Sequence, residues 1–244
     1  MKILIAGACS AIAQAAARRF AAEKNSFFLA ARNEERLQVL AEDLKVRGAA
    51  QVETGFFDAQ DFESHTAVVR EAHRSLGGLD GVLIAHGMAG DQEACERDYA
   101  LAEQVFRTNF LSVVSLLTLL VPEFEKHKAG FIAVISSVAA DRGRQSNYIY
   151  GASKSALDIY LGGLRNRLHD EGIQVLTIKP GFVATPMTAH LPKNVLFADP
   201  EDVGRAIYDA IIQKKDVVYL PWFWQWIMLA IKMMPECLFK RLKL

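Results

Sequence analysis

Tyr150 and Lys154 stand four residues apart in Tyr150-Gly151-Ala152-Ser153-Lys154, a spacing that on a helix puts phenol and ammonium on one face. Such a pair is suited to proton transfer. A free tyrosine titrates near ~10, so exchange at neutral pH needs ~3 units, roughly 4 kcal/mol, and a close cation is expected to supply much of it. Ser137, thirteen residues before Tyr150, carries a hydroxyl able to donate to an oxygen that gathers negative charge. Tyr148 has no lysine at the matching offset, which singles out Tyr150.

These side chains need rigid elements beneath them. Apolar, strand-like runs fall at Lys2–Ala6, Phe27–Ala31, Gln51–Phe57, Gly81–Ile84, Phe131–Ile135, Val175–Ile178 and Val217–Leu220, with amphipathic helix-length stretches between them. Strands of this kind lack the period-two pattern of a half-exposed sheet. They imply a parallel sheet covered on both faces, an α/β, Rossmann-type doubly wound fold in a single domain over residues 1–220. Directly after the first strand comes Gly7-Ala8-Cys9-Ser10-Ala11-Ile12-Ala13, opening an alanine-rich helix. The start of that helix offers free N–H groups to a pyrophosphate, although an ordinary strand-to-helix turn would look the same, since Ala11 and Ala13 stand where glycines are expected. Ala30-Ala31-Arg32-Asn33, after the second strand, lacks a carboxylate for an adenosine ribose. Arg32 can instead grip a 2′-phosphate, which favours NADP(H) over NAD(H), or can simply be a solvated first-turn charge.

The set Asn109, Ile135-Ser136-Ser137, Tyr150 with Lys154, and Pro180-Gly181-Phe182-Val183-Ala184-Thr185 resembles the short-chain dehydrogenase/reductase family, in order and over essentially the whole chain. The resemblance implies an NAD(P)-dependent oxidoreductase with Asn109, Ser137, Tyr150 and Lys154 as catalytic residues and Tyr150 as general acid. Asn109 would complete a proton relay through an ordered water, and Lys154 would also hold the nicotinamide ribose. By the same resemblance Gly7, Cys9, Ser10, Ala11 and Ile12 bind the pyrophosphate turn, Asp58 and Ala59 the adenine, and Pro180, Gly181, Val183 and Thr185 the nicotinamide. The segment Ile84-Ala85-His86-Gly87 departs from the family's usual Asn-Asn-Ala-Gly, so Ala85, His86 and Gly87 line the cofactor on position alone, and His86 is equally readable as a packed histidine. Family members commonly pair through helices equivalent to Val105–Leu120 and Tyr150–His169, which implies a homo-oligomer.

The stretch Ala140–Asn147 is polar for a segment bordering the substrate. Arg142, Arg144, Gln145 and Asn147 suit a polyhydroxylated or phosphorylated ligand, or form a solvated loop. Together with Met187-Thr188-Ala189-His190-Leu191, Ala85-His86-Gly87-Met88-Ala89-Gly90-Asp91 and the apolar tail from Pro221, it resembles a bacterial branch that includes the decaprenylphosphoryl 2-keto-ribose reductase, implying a keto-sugar substrate, free or lipid-linked. A reductase of another ketone, alcohol or acyl substrate is the alternative, as is a non-catalytic NADP(H) sensor. The irregular run Ala184–Asp199 is a candidate lid.

Charge balances at 28 basic against 28 acidic residues, with no basic stripe for nucleic acid. Cys9, Cys95 and Cys237 are odd in number and have no metal-ligand spacing, which fits a reducing cytoplasm and no metal site. Pro221–Leu244 differs in composition, with Trp222, Trp224 and Trp226 followed by Lys232, Lys240, Arg241 and Lys243. The thirteen residues between Pro221 and Pro235 reach only ~20 Å as a helix against a hydrocarbon core of ~30 Å. A membrane-surface anchor at the cytoplasmic face, or a hydrophobic interface, is expected there rather than a span.

Overall fold

The computed structural model describes residues 1–189 and 191–242, so His190, Lys243 and Leu244 of the motifs above lie outside the described residues. Seven strands, β1 Lys2–Ala6, β2 Ser26–Ala31, β3 Gln51–Phe56, β4 Gly81–Ile84, β5 Gly130–Ile135, β6 Ile173–Pro180 and β7 Val217–Leu220, form one sheet. Its order is β3-β2-β1-β4-β5-β6-β7 and every pairing is parallel. Side chains alternate across each strand. Ile3, Ile5, Phe27 and Leu29 therefore pack on one face against helices α1 (Ala11–Ala21), α2 (Glu34–Val46) and α8 (Pro200–Ile212). Leu4, Phe28, Val82 and Ile132 pack on the other against α3 (His65–Leu76), α6 (Ser112–His127) and α7 (Tyr148–Leu168). Burial on both faces is why these strands read as continuous apolar runs.

Local chemistry sets several boundaries. Asn33 caps α2, accepting from Arg36 N at 2.8 Å, and Asp199 with Pro200 starts α8. The short α4 (Gln92–Arg97) leads into α5 (Tyr99–Phe106), and a five-residue π-turn, Arg107–Leu111, joins α5 to α6. The uninterrupted helix expected over Val105–Leu120 is thus corrected: the π-turn falls on Asn109, and such wide turns often mark functional sites. Tyr99–His127 has the length and apolarity of a membrane span, but Leu116, Leu117 and Leu120 lie in the core against the sheet.

The segment after β7 folds back onto the domain. It comprises α9 (Trp224–Met233) and α10 (Glu236–Phe239), and buries Trp224 and Met228 against Val138, Phe182 and Leu196, and Phe239 beneath the Arg142 guanidinium. Trp224 lies so close to Gly181 that a Cβ there would fall 2.0 Å from its Nε1, so only glycine admits the indole.

Candidate active site

Strand order reverses between β1 and β4, since β1 runs on to β2 on one side and the chain resumes at β4 on the other. In open parallel sheets the crevice at the carboxyl ends of such strands is where ligands bind. A cleft of about 750 Å³ opens there. It is lined by Gly7, Cys9, Ser10, Ala11 and Ile12 after β1, Arg32 after β2, and Asp58 and Ala59 after β3. Ala85, His86 and Gly87 follow β4, Ser137 follows β5 with Tyr150 and Lys154 of α7, and Pro180, Gly181, Val183 and Thr185 close it after β6.

The turn after β1 is shaped for close backbone approach. Gly7 has φ +81°, and a Cβ there would lie 2.4 Å from His86 N, so both conformation and space require glycine. Ser10 flanks α1 without a side-chain cap, leaving the first-turn N–H groups directed at the cleft. A dinucleotide pyrophosphate fits this arrangement. Arg36, which the sequence reading did not single out, also lines the cleft and donates to Cys9 O at 3.1 Å. Its signal was the four-residue spacing from Arg32.

Ser136 and Ser137 follow β5, line the cleft and make different contacts. Ser137 faces Tyr150 and Lys154, and its Oγ accepts from Ala139 N at 3.1 Å. Ser136 Oγ donates to Asp158 Oδ1 at 2.5 Å. Lys154 is buried and donates from Nζ to Ile135 O at 2.8 Å. Burial pulls its pKa down to about 8, against the charge of Asp158 one turn further along α7. Asn109 is fully buried. Its Nδ2 donates to Met88 O at 2.9 Å and Ser153 Oγ at 3.0 Å, and its Oδ1 accepts from Met88 N at 2.9 Å. The π-turn therefore fixes the strand-four loop against α7.

The phenol is not drawn down toward neutral pH as expected. Burial holds Tyr150 above the ordinary tyrosine range, and the opposing influences are a hydrogen bond with Ser137 and the charge of Arg144. At neutral pH the phenol is protonated, the state a proton donor needs. His86 is neutral: burial first, then the charges of Lys154 and His65, push it down to about 3, and its Nε2 meets Ser112 Oγ at 2.7 Å.

The four polar residues expected at substrate separate. Arg142 turns away from the cleft, donating to Ile231 O at 2.5 Å, Met234 O at 2.6 Å and Glu236 Oε2 at 2.7 Å, with its guanidinium 3.7 Å over the Phe239 ring. The reading of Arg142 as a substrate contact is corrected: its donors fasten the C-terminal segment. Gln145 is exposed. Arg144 is close enough for its charge to act on Tyr150, and Arg144 Nε and Asn147 Oδ1 are buried with no hydrogen-bond partner among the described residues, but neither residue, nor Gln145, is among those lining the cleft.

Behind the cleft lies an ionic cluster that no local spacing revealed. Lys179 Nζ contacts Asp141 and, at 2.6 Å, Asp158 Oδ2, while Tyr219 OH donates to Asp141 Oδ2 at 2.8 Å. Burial works against the Lys179 ammonium, but the two carboxylates overcome it and push its pKa upward. Tyr219 is driven to about 12 by burial and by Asp141.

The sequence of residues 1–195 matches the short chain dehydrogenase family. The chain belongs to that family. It is 35% identical over 240 residues to an uncharacterised oxidoreductase of Mycobacterium tuberculosis, covering 98% of this chain and 96% of the relative. Its fold is that of levodione reductase, with a TM-score of 0.81, 21% identity, and 89% and 95% of the two chains covered. NAD+-bound xylitol dehydrogenase gives a TM-score of 0.79 at 18% identity, covering 89% and 96%. This short-chain dehydrogenase is thus an oxidoreductase acting between CH–OH and C=O, and the phenol, hydroxyl and ammonium of its cleft are placed for that chemistry.

Proposed function

We propose that the enzyme is an NADP(H)-preferring reductase of an oxygen-rich ketone, a keto-sugar free or carried on a lipid phosphate. The observation that carries the reading is the pair of buried, unpartnered polar groups, Arg144 Nε and Asn147 Oδ1, in the segment that leads into the protonated Tyr150. Buried polar atoms without partners are costly, and a ligand rich in hydroxyl or phosphate oxygens would satisfy both. An acyl chain would leave them unpaired.

When bound, the dihydronicotinamide supplies a hydride to the carbonyl carbon. Tyr150 gives its phenolic proton to the carbonyl oxygen, and Ser137 donates a hydrogen bond that stabilises negative charge developing there. The Lys154 ammonium compensates the phenolate that remains. Arg32 and Arg36 line the cleft after β2 and form no ion pair among the described residues, so both guanidinium groups could hold a 2′-phosphate on the adenosine ribose, which supports NADP(H).

The experiment is NADPH oxidation measured against keto-sugars, simple ketones and acyl thioesters. Turnover confined to the keto-sugars, with Tyr150→Phe retaining NADPH affinity and losing roughly 10³-fold or more in kcat, is the expected result. Acyl thioesters as the better substrates, or an active Tyr150→Phe enzyme, would overturn it.

A further inference from the structure

The C-terminal segment has two faces. Trp224, Met228 and Phe239 are spent on the domain. On the other side Trp222, Trp226 and Met233 are 71%, 60% and 75% exposed, and Leu229, Leu238 and Leu242 are 44%, 54% and 43% exposed. Trp222, Trp226, Leu229 and Met233 follow at steps of four, three and four residues, one helical stripe along α9 and the turn before it. Apolar surface of this kind, concentrated in one stripe, marks a contact.

The charges around the stripe are one-sided. Lys232, Lys240 and Arg241 are exposed and form no ion pair among the described residues. Glu236, the sole acid after Pro221, is taken by Arg142 at 2.7 Å. We propose that this outer face docks on the surface of an anionic lipid bilayer. Tryptophans favour the headgroup boundary and the cations meet negative headgroups. The ten residues of α9 reach ~15 Å, half of a ~30 Å hydrocarbon core, so the segment lies on the surface and does not cross it. A second copy fits less well, because a two-fold contact through this face would bring the same uncompensated cations together. Docking also has a consequence for the cleft. Trp224 packs on Gly181, which lines the cleft, so the mouth of the site would ride beside the bilayer.

The test is flotation of the whole chain with vesicles of phosphatidylcholine alone or mixed with phosphatidylglycerol. Two variants accompany it, W226E/M233E on the apolar stripe and K232E/K240E/R241E on the cations. All five side chains point to solvent, and Tm with activity on a soluble substrate checks that each variant is folded. The full chain should float with the anionic vesicles and not with phosphatidylcholine, less so as salt rises. W226E/M233E should stay below, and reversal of the three cations should weaken partition by at least roughly 100-fold, since loss of each positive charge alone is about fivefold. If W226E/M233E is destabilised, W226Q/M233Q replaces it. A full chain that stays with the soluble fraction overturns the proposal. So does a stripe variant whose mass by light scattering falls to a smaller oligomer, which would assign the face to a second copy.

Discussion

Asp158 lies one turn beyond Lys154 on α7 and is the carboxylate that favours the buried ammonium, while its own Oδ1 accepts from Ser136 and its Oδ2 meets Lys179. The proton-handling face of α7 is thereby tied to β5 and β6 through a single side chain. With Lys154 held at about 8, kcat/KM should fall on the alkaline side near that pH, well below the pKa of the phenol. The profile of kcat/KM reports groups of the free enzyme. Asp158→Asn removes a charge that raises Lys154, so the alkaline limb should move to lower pH, by about one unit, while Asp158→Glu largely restores it. A lower Tm with an unmoved limb would show that Asp158 is structural only.

How much of this was readable from residues alone differs by element. All seven strands were found within two residues of their ends, because burial on both faces leaves an apolar run that needs no tertiary knowledge. The tyrosine, lysine and serine were equally plain, being fixed by spacing on one helix and one strand end. The π-turn at Asn109 was not, since its hydrogen-bond register has no residue signature. Asp141, Asp158 and Lys179 come from three elements and meet only once the sheet is assembled. Arg142 was misread for the same reason: its partners are backbone carbonyls 89 and 92 residues away, and a carbonyl leaves no trace in a sequence.

Cofactor preference should rest on Arg32 and Arg36 together. Each offers a guanidinium to one phosphate, and hydrogen bonds to a charged group contribute about 1.5–3 kcal/mol apiece. Arg32→Ala and Arg36→Ala should each weaken NADPH binding by roughly 10- to 100-fold and leave NADH nearly unchanged, as read by fluorescence titration. Equal losses for both nucleotides would instead assign Arg36 to the turn, through its bond to Cys9 O.

Two histidines, the buried His65 and the partly buried His86, make the fold acid-sensitive. His86 is held at about 3 and His65 is also lowered, chiefly by burial, so both are neutral in the folded protein. Unfolded histidine titrates near ~6.5, and below that pH the unfolded chain binds protons that the folded one refuses. Stability is therefore full above about 6.5 and falls as pH drops toward 3. For His86 alone the loss between pH 7 and pH 5 is about 2 kcal/mol. Denaturant unfolding of His86→Phe should show a shallower slope over that range than the parent, whatever its stability at pH 7. An unchanged slope would place the acid sensitivity elsewhere.

Arg142 joins the 3₁₀ turn that follows Ser137 to the end of α9, so the C-terminal segment and the catalytic strand are linked through one guanidinium. Two carbonyls, a carboxylate and an aromatic face surround it, and a planar fork satisfies all four at once. Lysine carries the charge but cannot reproduce the geometry. Arg142→Lys should therefore lose nearly as much stability as Arg142→Met, about 1–3 kcal/mol, and proteolysis should begin within 221–242 in both. Because Arg142 does not touch the cleft, KM for the ketone should hardly change in either variant, and kcat should fall only as far as Ser137 loses its position. A KM raised tenfold or more with an intact C-terminal segment would return Arg142 to the substrate.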